Sequence, residues 1–258
     1  MGKTIVSRTL SVHQEHELLV KLESAGLTKQ LAQKIIDSKN NCLAERMVKF
    51  ITGNDGLISE NNQQRAREIM GKNFFGIEQA VQHFGVTPTE EQLKILSEIP
   101  FSEAVLQETK DSHVLVAVFP LSILEVREMV KGKGLFFSQD WYDNQKFAQD
   151  KGVVGWMLIR KTSVPNSTNK TWEEQLALLT KEEVPTAQAM VYTIIGHYLA
   201  TDERLFENIW VRTSSTLSLG SDGRCVGLGG FDTDGLGVFD DWDSYCYDNL
   251  AVSSSRKS

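Results

Sequence analysis

With 258 residues, 41% of them hydrophobic and 24% charged, the chain can bury a sizeable core and is not a disordered polymer. A formal net charge of −7 without any Lys/Arg cluster argues against a binder of nucleic-acid backbones. No apolar run approaches the ~20 residues of a membrane span, and the opening MGKTIVSRTLSVHQEHELL has no signal-peptide core, so a cytoplasmic protein without a membrane span is expected.

In chain order, VHQEHELLVKLESAG has apolar residues at helical spacing and stops at Gly26. A second helix is expected from Thr28 to the GNDG turn at 53–56, with Leu31, Ile35 and Ile36 on one stripe. ISENNQQRAREIMGK reads as a helix capped by Ser59, and FFGIEQAVQHFGV as a short one. The next helix opens at Thr87-Pro88-Thr89-Glu90, with Pro in its first turn, and runs to Ile99. Near residue 110 the character changes. HVLVAVF (113–119) and GVVGWMLIRKTSV (152–164) are strand signals around a helical LSILEVREMV. Thr171 and Glu174 have capping-box spacing at the head of a helix, and the best helix in the chain is entered at Pro185. NIWVRTSS, RCVGLGGF and LAVSSSR then read as strands among Gly, Ser and Asp. The expectation is an α+β protein, with an all-helical region over residues 1–105 and an α+β domain over 106–258.

Conventional catalytic signals are missing from the sequence. The five His are dispersed; His13 and His16 read as solvated helix residues and His197 as a core histidine. There is no nucleophile elbow, P-loop or dinucleotide fingerprint, and GLGG at 227–230 opens no helix, so it is a weak phosphate cradle. DTDGLGVFDDWD suggests calcium, but Gly235 falls at position 4 from Asp232 and Asp243 at position 12, which fails the EF-hand pattern. A solvated turn is preferred there over another carboxylate-rich site. Cys42, Cys225 and Cys246 are too scattered for a disulfide framework; a Cys225–Cys246 bridge would need an oxidising compartment.

One absence is sharper. From Thr213 to Arg256 there is no Lys, Glu, Gln or Met. Gly/Ser/Asp-rich loops avoid long side chains, which explains part of the gap. A genetic account explains more: an AAY codon randomised at its adenines becomes NNY, which encodes none of those four and no Trp. Every residue from 213 to 256 except Trp242 belongs to the NNY set.

The run W-D-x-x-x-Y-D-N-L-A-V-S-S-S-R-K, Trp242 to Lys257, resembles the end of variable proteins diversified by retroelements, with Ala251 in place of their usual glycine. Gly155-Trp156-Met157-Leu158-Ile159-Arg160, Arg204-Leu205-Phe206, Trp210-Val211-Arg212 and Gly229-Gly230-Phe231 are similar to segments of their C-type lectin-like domain, of the kind shared with formylglycine-generating enzyme. The likeness covers about residues 110–258. It implies a C-type lectin-like domain that binds a ligand through its C-terminal loops, with no cofactor.

The expected face is Phe239, Asp240, Asp241, Asp243, Ser244, Tyr245, Cys246 and Tyr247, with Ser214, Ser215 and Thr216 as additions. Aromatic and small polar residues of this kind are what paratopes use. Tyr245 and Tyr247 flank Cys246 and in an extended segment would share a side. Leu250 and Val252 should lock the following strand into the core, and Trp242, which NNY cannot encode, is expected to pack beneath the loop as scaffold. The partner is expected to be a protein or other macromolecule; a basic peptide or a sugar would also suit an acidic aromatic loop. Two alternatives stay open: a formylglycine-generating-type oxidase, whose close cysteine pair is lacking here, and an assembly protein that oligomerises through its N-terminal helices.

Overall fold

The computed structural model describes residues 11–24, 27–37, 58–217 and 223–257. Cys42, the GNDG turn and much of the second expected helix lie outside them. The chain divides into two compact units, Met1–Ile58 and Ser59–Ser258. In the first, helices span Val12–Ser24 and Lys29–Ile36, and His13 and His16 are exposed as expected. The unit boundary lies well before residue 105, where the sequence changes character.

The second unit is α+β, with two sheets. The first has strands β1 (Phe74–Phe75), β2 (His113–Val118), β3 (Gly155–Arg160), β4 (Glu182–Glu183) and β9 (Ser255–Arg256), in the order β1-β2-β3-β9-β4. The second has β5 (Trp210–Thr216), β6 (Arg224–Asp232), β7 (Gly235–Trp242) and β8 (Leu250–Val252), in the order β7-β6-β5-β8. β2 is buried at all six positions, as its unbroken apolar run requires. The helix Ala187–Thr201 begins at an N-cap Thr186, whose hydroxyl accepts from the Ala189 N–H, and touches β1 and β2 of one sheet and β5 and β6 of the other. Burial on nearly all sides explains why its sequence is apolar all round, and His197 is in the core with it.

Three expectations about the helices change. Ser59 lies inside the helix Ile58–Met70 and does not precede it. Thr89 is the N-cap of Glu90–Ile95, with Gln92 completing a capping box, so Pro88 stands outside that helix; the helix also ends before Ile99. Phe74 and Phe75 are not helical: they pair in parallel with Leu115 and Val116. The Thr171–Glu174 box is present at the head of Trp172–Leu176.

The last described residues join the two sheets. β8 pairs in parallel with β5 (Trp210 with Leu250, Val211 with Ala251, Arg212 with Val252). Three residues later β9 pairs with β3 and β4. Leu250, Ala251, Val252 and Ser253 to Ser255 are all buried. A segment with partners in both sheets has no reason to fray, and it holds the preceding loop on a fixed base.

Candidate ligand-binding face

The strand register places the site. Partners across an antiparallel ladder point to the same face, and successive residues alternate. Val211, Leu228 and Val238 thus face the core and are buried. Trp210, Gly229, Gly237, Gly227, Phe239 and Asp241 share the opposite face. The glycines leave that face bare enough for two rings to lie on it: a Cβ at Gly237 would overlap the Trp210 ring, and one at Gly227 the Phe239 ring. The rings meet edge to face at 4.9 Å between centroids. The GLGG run is therefore a floor for aromatic side chains inside β6.

Residues 243–249 fold over this face, held almost entirely by backbone groups. Asp243 N–H donates to Gly223 O (2.6 Å), Trp172 N–H to Asp243 O (2.8 Å), Asn169 N–H to Tyr247 O (2.9 Å) and Trp210 N–H to Asn249 O (2.9 Å). Beneath lies Arg212, fully buried. One guanidinium nitrogen donates to Trp242 O (2.8 Å) and Tyr245 O (2.9 Å), and the other to Gln175 Oε1 (3.1 Å). Gln175 in turn donates to Ser167 O (2.8 Å) and Leu250 O (3.3 Å), which ties the support to β8. Desolvation lowers the Arg212 pKa, against the pull of Cys225, Asp241 and Asp243.

The side chains of the loop are left outward. Ser244, Tyr245, Cys246 and Tyr247 are exposed, and the Tyr245 and Tyr247 rings meet at 5.7 Å, on the same side as expected. Phe239, Asp241 and Tyr247, with Trp210, Asn249 and Leu250, line a cleft of about 220 Å³. Desolvation raises the Asp241 carboxyl above its usual range, although its Oδ1 accepts the Trp242 N–H at 2.9 Å. Asp240 pairs with Arg224. Asp243 accepts the Cys225 thiol at 3.2 Å; burial, reinforced by that carboxylate, pushes the thiol pKa up. Neither Cys225 nor Cys246 is in a disulfide.

Two expectations about individual residues need correction. Trp242 is not beneath the loop: it is 41% exposed. It belongs to the outermost pair of the hairpin, opposite Arg224, past the last apolar pair, and what its ring meets is the Arg224 guanidinium at 5.2 Å. Arg212 does the supporting instead. Ser215 is turned inward, its hydroxyl accepting the Ala187 N–H at the head of the long helix (3.0 Å). Ser214 is tied to Pro185 O by its N–H (2.9 Å), and exposed Thr216 pairs with Cys225. Trp210 and Arg212 had no assigned role from sequence; the signal was a lone Arg in an alternating W-V-R-T strand run.

Asp232 and Asp234 form the β6–β7 turn, with Asp234 N–H donating to Asp232 Oδ1 (2.8 Å), an Asx turn. Among the described residues no cluster of His, Cys, Asp and Glu is placed to hold a metal ion, and no helix is long and apolar enough to cross a membrane. In comparisons with known proteins, no family model, no curated protein and no solved structure matches the chain.

Proposed function

We propose that this is a ligand-binding protein with a C-type lectin-like domain, whose C-terminal loop surface is built to accept sequence diversification, as the target protein of a diversity-generating retroelement would be. One observation carries the reading: the loop 243–249 is held by backbone hydrogen bonds and by Arg212 grasping carbonyls. Carbonyls and amides are present whatever the side chain, so the conformation does not depend on the residues that face outward. The absence of Lys, Glu, Gln and Met from 213 to 256 supports the same reading. So does the architecture: one long helix against two sheets, with a closing strand pair that joins them.

The ligand is a macromolecule, since an open face with exposed tyrosines offers contact area more than enclosure. The test is a display library with NNY codons at 239–241 and 243–247, Trp242 being kept. Most members should fold and some should bind unrelated target proteins. A library whose members are mostly unfolded would sink the proposal.

A further inference from the structure

Resting on that reading, we infer that the cleft between Trp210, Phe239 and Tyr247 receives a protonated basic side chain, Lys or Arg, from a protein partner. Its walls include three aromatic side chains and Leu250, and its charged group is the Asp241 carboxylate. Among the described residues no cation comes within ion-pair distance of Asp241; Arg224 pairs with Asp240 instead, and the buried Arg212 turns its terminal nitrogens to Trp242 O, Tyr245 O, Gln175 and Lys170 O, so that both arginines act on Asp241 only at longer range. From Gly223 to Asn249 the charged residues are six Asp against the single Arg224. Aromatic faces with an adjacent carboxylate attract a cation twice over, through the ring quadrupoles and through charge. The protein itself shows the pairing: Arg224 lies over Trp242 at 5.2 Å, and Arg204 over Phe231 at 4.7 Å.

Size points the same way. At about 220 Å³ the cleft is below the ~300–1,000 Å³ of pockets that enclose a drug-sized molecule, and suits one side chain of a larger partner. Four of the lining side chains carry a polar group, Trp210, Asp241, Tyr247 and Asn249, but Asp241 alone among them is a carboxylate, and that charge favours a cation over a neutral sugar ring.

The experiment follows the Trp210 indole N–H signal, assigned with Trp210→Phe, during titration of full-length protein with three probes: acetyl-lysine methylamide, its norleucine counterpart and methyl glucoside. Lysine should shift the signal saturably and bind at least about ten-fold tighter than norleucine, and Asp241→Asn should erase that preference. Equal binding of lysine and norleucine, saturation by the glucoside alone, no saturable shift with lysine, or a preference untouched by Asp241→Asn would each overturn the inference. A random-peptide selection on the wild-type protein separates this from the wider reading. Binders lost on Tyr245→Ala but indifferent to Asp241→Asn would leave the face standing and remove the cation site. Binders indifferent to both would remove the face as well.

Discussion

A buried arginine without a carboxylate in direct contact is costly unless its donors are used, and Arg212 commits both terminal guanidinium nitrogens to carbonyl oxygens of the chain, leaving Nε alone without a partner among the described residues. Arg212→Met keeps much of the volume and removes the donors, leaving Trp242 O and Tyr245 O short of partners. Leaving such groups unsatisfied costs about 1–3 kcal/mol, so the denaturation midpoint should fall accordingly and amide exchange across 242–247 should accelerate. Unchanged exchange there would show that the loop does not need the clamp. Trp242→Ala, in contrast, should be mild: the ring is exposed and its partner is one guanidinium, so about 0.5–1 kcal/mol is at stake in urea denaturation. The codon argument read Trp242 as fixed, which concerns identity; burial depends on where the hairpin ends, and composition cannot tell that. At the same scale, burial pushes His197 down to about 4, against the opposing pull of Glu203. A pKa lowered on folding stabilises the native state above the unfolded value and loses that contribution as pH falls, here from 6.5 to about 4. Glu182, with His113 Nε2 at 3.5 Å and a hydrogen bond from Arg160, and Glu203, held against desolvation by Lys161 and Lys72, are both lowered from 4.5 to about 2, so their contribution goes in the next window down. Urea midpoints measured against pH should therefore decline in two limbs, and His197→Gln should flatten only the upper one. A variant that keeps the wild-type slope between pH 6.5 and 4.5 would place the upper limb elsewhere.

The hairpin β6–β7 and the loop after it show which parts of an element can be read from residues. GLGVFDDW lacks the strict apolar alternation of a half-buried strand, because its Gly237 matches a ring on β5 and its acidic end lies beyond the core. The expected loop is thus a strand as far as Trp242, and the true loop begins at Asp243. What the sequence did show was the outward set: Ser244, Tyr245, Cys246 and Tyr247 all emerge exposed, while Leu250 and Val252 are buried. Backbone support predicts an asymmetry between the two groups. Ser244→Ala, Tyr245→Ala and Tyr247→Ala combined should cost under about 0.5 kcal/mol each, because those side chains hold nothing that fixes the fold. Gly237→Ala adds one carbon where the Trp210 ring lies, and overpacking of that kind costs about 1–3 kcal/mol. Thermal melts of the two variants decide it. If the triple variant melts lower than Gly237→Ala, the loop is held by its side chains and a diversifiable surface is untenable.

At the scale of the molecule, the two characters of the chain, helical and then mixed, are legible in its residues, but the fold joins them across that line. Residues 66–106 bring Ala66, Met70, Phe75, Phe84, Leu96 and Leu106 into the same core as β2, β3 and the long helix. Trp156 of β3 donates its indole N–H to Leu96 O (2.9 Å), and Phe75 packs edge-on against Tyr192 at 6.0 Å. Helical periodicity identifies a face to be buried and is silent on which later strand buries it, so a boundary drawn where helices give way to strands falls inside the domain. Contacts thin at Ile58/Ser59 instead. A chain beginning at residue 59 should therefore fold by itself, with near-UV circular dichroism and a single cooperative transition, since the core cluster formed by the described residues lies within it. One beginning at 106 loses the aromatic layer under the long helix, and each large apolar side chain taken from a core costs about 2–5 kcal/mol against a total stability of only 5–15. It should aggregate or lack fixed tertiary packing. If the chain from 106 melts cooperatively at the temperature of the chain from 59, residues 59–105 are an appendage to the domain, and binding would then have to be assigned to the shorter piece.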